Sequence, residues 1–481
     1  MVEKKRQWWP EKKNLLSNQL IQPVVCGNLF HEEQLQNIRK LARYWSSENH
    51  RNISTFLRKE TFNNVIQTRF ESDNLFIHSS VLETSCHHEL DSYIRTVIPP
   101  RNTKLKHIRK HSFFFVKSVQ VILIPASLLR ISSNAFHFSG LKSLIFSRNC
   151  QLSFIDAFSF EGLEHFSSSV FPRSIKTIKN NGFSGSQLRS IKLTSDSKLT
   201  IESYAFSYCE KLESLDIPAV VEKLNDYIFY QCRIQSITFP RNSKLKTIKH
   251  NVFSHCSHLT SLDLPVLVEE IGNYAFAYSG LRSITFPQDS KLKRMGTGVF
   301  FYCTHLQEIK IPSSIEELGK SCFASSGLQS ITFEPNSNLR RFEIGIFRNC
   351  FQLHSIEIPS PVQELSEEAF AHSNLQEITF SQESQLKRIG RFTFTYCAKL
   401  TSIVIPSSVE VLDEGAFSSS GLLSVEFGPD SKLSAIQKGA FKNCSNLSKI
   451  EISPSVLVAK DALKNTKNGF FLRRLLRDYF L

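Results

Sequence analysis

A solenoid of stacked coils is the fold this chain predicts, and three observations predict it. Cysteines recur every 47 residues, at Cys209, Cys256, Cys303, Cys350, Cys397 and Cys444. A phenylalanine stands three residues before each, at Phe206, Phe253, Phe300, Phe347, Phe394 and Phe441. A second phenylalanine column, Phe276, Phe323, Phe370 and Phe417, keeps the same period, offset from the first by 23 residues. A fixed period of this length means supersecondary units that each bury an apolar edge against the next. It bears on function too, because a uniform stack offers surface rather than a catalytic cleft.

Residues 1–90 fall outside the period. Phe30, Leu35, Ile38, Leu41, Ala42 and Trp45 recur at helical spacing, which predicts an amphipathic helix over His31–Trp45 within a small, partly helical N-terminal region. The cluster Lys4, Lys5, Arg6, Trp8, Trp9, Lys12 and Lys13 reads as a solvated tail or as a contact for an anionic membrane. Cys86-His87-His88-Glu89 is the densest metal-capable set, but adjacent side chains point apart and no second cluster has zinc-finger spacing.

The repeat occupies residues 91–460, and Ser243–Asp289 shows its template. Each half-unit runs apolar-x-x-Ile, a loop, Phe, a small residue, Leu and a short strand, so each half is one coil. The first strand is Leu259–Leu264, closed by Pro265, and the second is Leu281–Phe286, closed by Pro287. Alternation points Leu262, Leu264, Ile284 and Phe286 inward and leaves Asp263 and Thr285 to solvent. Proline is tolerated at a strand end, and Pro172, Pro218, Pro265, Pro312, Pro359 and Pro406 mark where first-half strands turn. Starts at Thr103, Cys150, Ser197, Ser243, Ser290, Ser337, Ser384 and Ser431 give eight double repeats of 47 residues. That is about sixteen coils, or roughly 75 Å at a strand spacing of ~4.8 Å.

Where one coil carries the ladder cysteine, the other carries Ser139, Ser186, Ser279, Ser326, Ser373 or Ser420, with Cys232 the exception. Both residue types are small and able to hydrogen-bond buried backbone in a tight turn. Ladder cysteines lie two coils apart, ~9.5 Å, and a disulfide needs Cα atoms within about 7 Å. The thiols are therefore expected free and buried, which suits a reducing compartment. The six cysteines, with Phe253, Phe300, Phe347 and Phe394, are assigned to a structural ladder rather than to a metal or redox site.

Residues 461–481 are assigned to a C-terminal amphipathic cap helix. Phe471, Leu472, Leu475 and Tyr479 keep helical spacing with Arg473, Arg474 and Arg477 between them, and an open solenoid end needs covering. A partner-docking or membrane-surface helix is the alternative.

Composition and charge narrow the function classes. The chain is 41% apolar and 21% charged, as expected of a folded protein. The net charge is +14, of which residues 1–100 supply little and the repeats and tail the rest. This favours acidic partners or anionic surfaces without specifying nucleic acid. No apolar run approaches the ~20 residues that span a bilayer, and Met1–Pro10 does not read as a secretory signal. The expectation from these features is a cytoplasmic protein.

Ahead of the phenylalanines, Lys246, Lys293, Arg294, Arg340, Arg341, Lys387 and Arg388 alternate by coil with Glu269, Glu270, Glu316, Glu317, Glu364 and Glu410. Stacking sets opposite signs on neighbouring coils, as a register-fixing ladder does; a basic stripe for an acidic ligand is the alternative. Two solvent-facing strand columns form the candidate binding face. Thr238, Thr285, Thr332 and Thr379 make one, and Asp216, Asp263, Lys310 and Glu357 the other, continued by Val404 and Glu451. The chain shows no His-Glu-x-x-His, P-loop or Gly-x-Ser-x-Gly, and no enzyme activity, cofactor or metal is expected.

Segments such as IPSSIEELGKSCFASSGLQSITF, IPSSVEVLDEGAFSSSGLLSVEF and Val268-Glu-Glu-Ile-Gly-Asn-Tyr-Ala-Phe276 resemble BspA-type leucine-rich repeats. The resemblance covers about residues 90–460. It implies a right-handed leucine-rich-repeat solenoid with a parallel β-sheet on the concave face and short loops, turns or strands on the convex face. It also implies adhesion or protein binding, with host surfaces or extracellular matrix as partner classes. Two functions are carried forward: a non-enzymatic scaffold binding a protein or other macromolecule through its concave sheet, and a cell-surface adhesin of BspA-like type.

Overall fold

A computed structural model describes residues 68–71, 74–77, 83–84, 95–99, 103–193 and 198–467. They form a β-solenoid of about fifteen parallel turns. Each turn contributes to three ladders that run along the stack.

The main sheet takes one strand of two to four residues per coil, from Asn74–Ile77 and Thr96–Ile98 to Ser424–Phe427 and Lys449–Ile450. Neighbours pair in parallel and in register, as in Ser261↔Ser283, Leu262↔Ile284 and Asp263↔Thr285. Burial follows the alternation: Ser261 and Asp263 are exposed and Leu262 is buried. From Ser261–Asp263 to Glu377–Phe380 the sheet is divided into hydrogen-bonded pairs of strands. The division follows loop length. Within a pair the offset is 22 residues; to the next pair it is 25. Second-half coils reach their strand through a shorter loop, Ser279-Gly280-Leu281, where first-half coils use Cys256-Ser257-His258-Leu259. The short loop presses on the coil before it. A Cβ on Gly280 would stand 2.1 Å from the Ser257 carbonyl oxygen, and one on Gly327 would stand 2.0 Å from that of Thr304. Glycine accommodates this approach without a side-chain clash, while the corresponding loops of other coils carry Gln187, Arg233 and Asn374.

The second ladder is built from two-residue strands such as Glu270–Ile271, Arg294–Met295 and Glu317–Leu318. The third is a stack of turns carrying the phenylalanines. Asn251, Phe253 and His255 donate their N–H groups to the carbonyls of Asn273, Ala275 and Ala277 on the next coil, at 2.7–2.9 Å. Residues two before and two after each phenylalanine adopt positive φ, for example Asn251 at 54° and His255 at 60°. The turn edge is thus bonded coil to coil, and the buried backbone groups there are satisfied.

The core is continuous between these ladders. The phenylalanine rings stack without interruption from Phe113 to Phe441, with Phe253–Phe276, Phe276–Phe300 and Phe300–Phe323 centroids 5.4, 5.6 and 5.4 Å apart and planes within 6–8°. Phe253, Phe300, Phe347 and Phe394 have no solvent exposure. The full stack also takes in Phe113, Phe136, Phe160 and Phe183, upstream of the cysteine ladder.

Both ends of the solenoid differ from the expected boundaries. Thr68–Glu71 and Asn74–Ile77 form an antiparallel hairpin, and Asn74–Ile77 then pairs in parallel with Thr96–Ile98. Glu83–Thr84 joins the second ladder beside His107–Ile108. Segments assigned to a non-repeat region over 1–90 therefore belong to the sheets. Asn74–Ile77 and Glu83–Thr84 stand 47 residues before Val121–Ile124 and Arg130–Ile131, but Ile66 and Glu89 occupy the places where the repeat's phenylalanines are due, so the period is unmarked there. At the other end, residues 461–467 form one more stacked turn, with Phe441 N–H donating to the Ala462 carbonyl at 2.8 Å. Among the described residues there is no helix. The expected helix over His31–Trp45 and residues 468–481 of the expected cap lie outside them, as do Cys86–Glu89.

Candidate functional face

The main sheet merges the two predicted columns into one, in which their members alternate coil by coil. Asp216 pairs with Thr238, Asp263 with Thr285, Lys310 with Thr332 and Glu357 with Thr379 in strand register. All eight side chains are exposed. Parallel pairing without a slip places each threonine one strand spacing from its partner on the same face. The Thr238 hydroxyl donates to Asp216 Oδ1 and the Thr285 hydroxyl to Asp263 Oδ1. Lys310 Nζ lies 3.1 Å from Glu334 Oε1. The Ser313 backbone N–H, then Lys310, hold the Glu334 carboxyl below its usual range.

A second column, two residues before this one, was not singled out from the sequence. It reads Ser214, Ser236, Ser261, Ser283, Glu308, Ser330, Ser355, Glu377 and Ser402, all exposed. The repeated Ser of each strand was the available signal. Together the columns make a surface of hydroxyls and carboxylates. From residue 214 onward its two outward columns present Asp216, Asp263, Glu308, Glu357, Glu377, Glu426 and Glu451 against Lys310 and Lys449. Although the chain is basic overall, this face is acidic. Val404 and Leu423, 56% and 48% exposed, interrupt it near the C-terminal end.

The cysteine ladder lies away from this face, in the core. Cys256, Cys303, Cys350, Cys397 and Cys444 are fully buried, and their thiols donate to the carbonyls of Phe229, Phe276, Phe323, Phe370 and Phe417 on the preceding coil at 3.0–3.1 Å. Cys209 does the same to Phe183 at 3.2 Å. The intervening serines complete the ladder: Ser279, Ser326, Ser373 and Ser420 hydroxyls lie 3.3–3.6 Å from the next thiol. Burial pushes the thiols of Cys256, Cys303 and Cys350 up to about 12 and that of Cys397 up to about 11. Protonated, inaccessible sulfur of this kind neither attacks nor ligates. Among the described residues all cysteines are free, and no three His, Cys, Asp or Glu side chains are placed to hold a metal.

The charged residues of the second ladder neutralise one another, with Glu270↔Arg294↔Glu317 and Arg341↔Glu364↔Arg388 in register. Arg341 and Glu364 are 3.0 Å apart, and Arg388 makes two hydrogen bonds to the buried Asp413 at 2.6 and 3.0 Å. The ladder is broken between Glu317–Leu318 and Arg341–Phe342. Phe342 there occupies the inward position held by Met295, Leu318 and Leu365 on other coils, and its ring packs against Phe333, Phe347 and Phe370. A cleft of about 370 Å³ opens beside it, lined by Glu316, Glu317, Arg340, Arg341, Glu364 and Arg388 among others.

Stacked parallel coils with an in-register sheet define the class as a leucine-rich-repeat solenoid. The family model for the BspA type leucine rich repeat region matches in six copies, over residues 80–200, 195–300, 269–385 and 379–468, and the chain belongs to that family. Among solved structures, it is similar to a leucine-rich repeat protein from Bacteroides ovatus, with 22% identity, 85% of this chain and 92% of that one covered, and a TM-score of 0.56. That likeness shows the fold. A leucine rich cell surface protein from Faecalibacterium prausnitzii matches at 20% identity over 77% of this chain and 96% of its own, with a TM-score of 0.37. The pneumococcal vaccine antigen PcpA matches at 17% over 84% and 90%, with a TM-score of 0.34. No curated protein matches the chain. Among the described residues no helix is long and apolar enough to cross a membrane.

Proposed function

We propose that this protein is a non-enzymatic scaffold that binds a protein partner through the outer face of its main sheet. The observation that carries the reading is the in-register array of exposed Ser, Thr and carboxylate side chains held on a rigid backbone. Such a surface is preorganised, so little side-chain ordering opposes binding. Its excess of carboxylates suits a partner face rich in Arg, Lys and backbone N–H donors. Capture from lysate with wild-type protein and with Asp216→Arg/Asp263→Arg/Glu357→Arg tests it. Partners retained by the wild type and lost by the triple variant support the face; identical profiles overturn it.

The surface-adhesin reading uses the same face and differs in where the protein sits. The family membership supports it. Surface biotinylation of intact cells separates the two readings: labelled protein favours the adhesin, and protein confined to the cytosolic fraction favours the scaffold.

A further inference from the structure

The positive charge of the repeats is concentrated at one end. Residues 101–200 carry 15 Lys/Arg against 4 Asp/Glu, and residues 101–150 carry nine against none. Residues 201–481 hold 30 and 29, so the excess first attributed to the repeats and tail together lies almost wholly in the first coils. Of the described carboxylates in this quarter, two are paired with a cation and the third lies against a histidine. Asp156 pairs with Arg130 at 3.2 Å, Glu164 with Lys117 at 3.6 Å, and Glu161 lies 2.8 Å from His137. On the second ladder the register His107↔Arg130↔Phe154↔Thr177 lacks the alternating glutamates of later coils, leaving only Glu83 beside His107. Lys104, Lys106, Lys110, Arg148 and Lys176 are exposed.

The turn edge of the same coils is apolar. Phe115, Phe138 and Phe158 are 49%, 38% and 37% exposed, at positions where later coils mostly carry Tyr, His, Ser, Asn or Gly. We propose that this end of the solenoid docks on an anionic membrane surface. The phenylalanine edges enter the headgroup boundary, and the surrounding lysines and arginines face the lipid phosphates and carboxylates. Aromatic side chains ringed by cations suit that boundary, and each cation near it adds attraction. The ring geometry favours lipid over nucleic acid, because base stacking needs open ring faces. Here Phe114 lies against His137 at 5.3 Å and 8°, Phe115 against Phe138 at 5.4 Å, and the Phe138 ring covers Gly162. The rings offer edges.

Co-sedimentation of the full chain with phosphatidylcholine vesicles, with and without phosphatidylserine, tests the proposal. Binding is expected only with phosphatidylserine. Lys104→Glu/Lys106→Glu/Lys110→Glu is expected to lower it at least about tenfold, and Lys291→Glu/Lys293→Glu to leave it nearly unchanged. Phe115→Ser/Phe138→Ser, with unaltered thermal unfolding, is expected to weaken vesicle binding while binding to soluble heparin stays the same. No binding to phosphatidylserine vesicles overturns the proposal. So does binding that survives the triple charge reversal, which would assign it to another part of the chain. Vesicle binding indifferent to the phenylalanine pair and displaced by single-stranded DNA would make the surface a polyanion site instead.

Discussion

The ladder thiols hold their protons far more tightly than free cysteine does, because each is sealed in the core against a phenylalanine carbonyl. In the unfolded chain a thiol ionises above about pH 9, while Cys256, Cys303 and Cys350 in the fold stay protonated to about 12. The folded state therefore binds more protons across that window, and stability falls as pH rises through it, by about 1.4 kcal/mol per thiol per unit. A steep drop in melting temperature above about pH 9 is expected, flattened by Cys303→Ser/Cys350→Ser/Cys397→Ser. Serine already fills this position on alternate coils, so the turn accommodates the triple variant's side chains. Cys303→Val, in contrast, removes one of the two donors to the Phe276 carbonyl, leaving the Ser279 N–H, and should cost about 1 kcal/mol in denaturant melts. The glycine contacts are a second constraint at this scale. Gly327→Ala forces a methyl group against the Thr304 carbonyl and is expected to destabilise by about 1–3 kcal/mol.

At the scale of single elements, the coil's rungs differ in what holds them. The phenylalanine stack is the apolar spine; Phe300→Ala opens a cavity between two rings and should cost about 3–5 kcal/mol. The charge ladder is weaker, since most of its pairs are exposed. Arg388 and Asp413 are the exception. Asp413 is only 6% exposed, so Asp413→Asn is expected to cost about 2 kcal/mol in unfolding measurements. The cysteine and phenylalanine columns, the strand positions and the alternating charges were legible in the sequence because each repeats at a constant spacing. Features that break the period were not. The breaks of the second ladder, after Ile201 and after Leu318, carry no mark in the sequence. The division of the main sheet into strand pairs over 261–380 goes with a one-residue difference in loop length, and the close approach of Gly280 and Gly327 to a carbonyl exists only once coils are stacked. Asn74–Ile77 escaped although it keeps the period, because Ile66 and Glu89 stand where the marking phenylalanines are due.

Across the whole molecule, charge and surface are segregated along and around the solenoid. The sheet from residue 214 onward presents carboxylates and hydroxyls, while the coils over 101–200 present cations and phenylalanine edges. The columns Asp216–Glu357 and Thr238–Thr379 were readable from strand alternation, yet the acidity of their face was not, because the net charge averages over surfaces that point in different directions. Nearest-neighbour stacking also predicts how the molecule unfolds. Coils contact only their neighbours, so Phe300→Ala should decouple the two halves and turn one denaturant transition into two, read by hydrogen exchange on either side.

The central claim is that the main sheet is the binding face. Site-specific photo-crosslinking tests it most directly, with the reactive group placed in turn at Thr285, Thr332 and Thr379 on the sheet and at Asn251 and Tyr302 on the turn edge. The account predicts one partner crosslinked from all three sheet positions and from neither edge position. Crosslinks from Asn251 and Tyr302 alone, with the sheet positions silent, would contradict it.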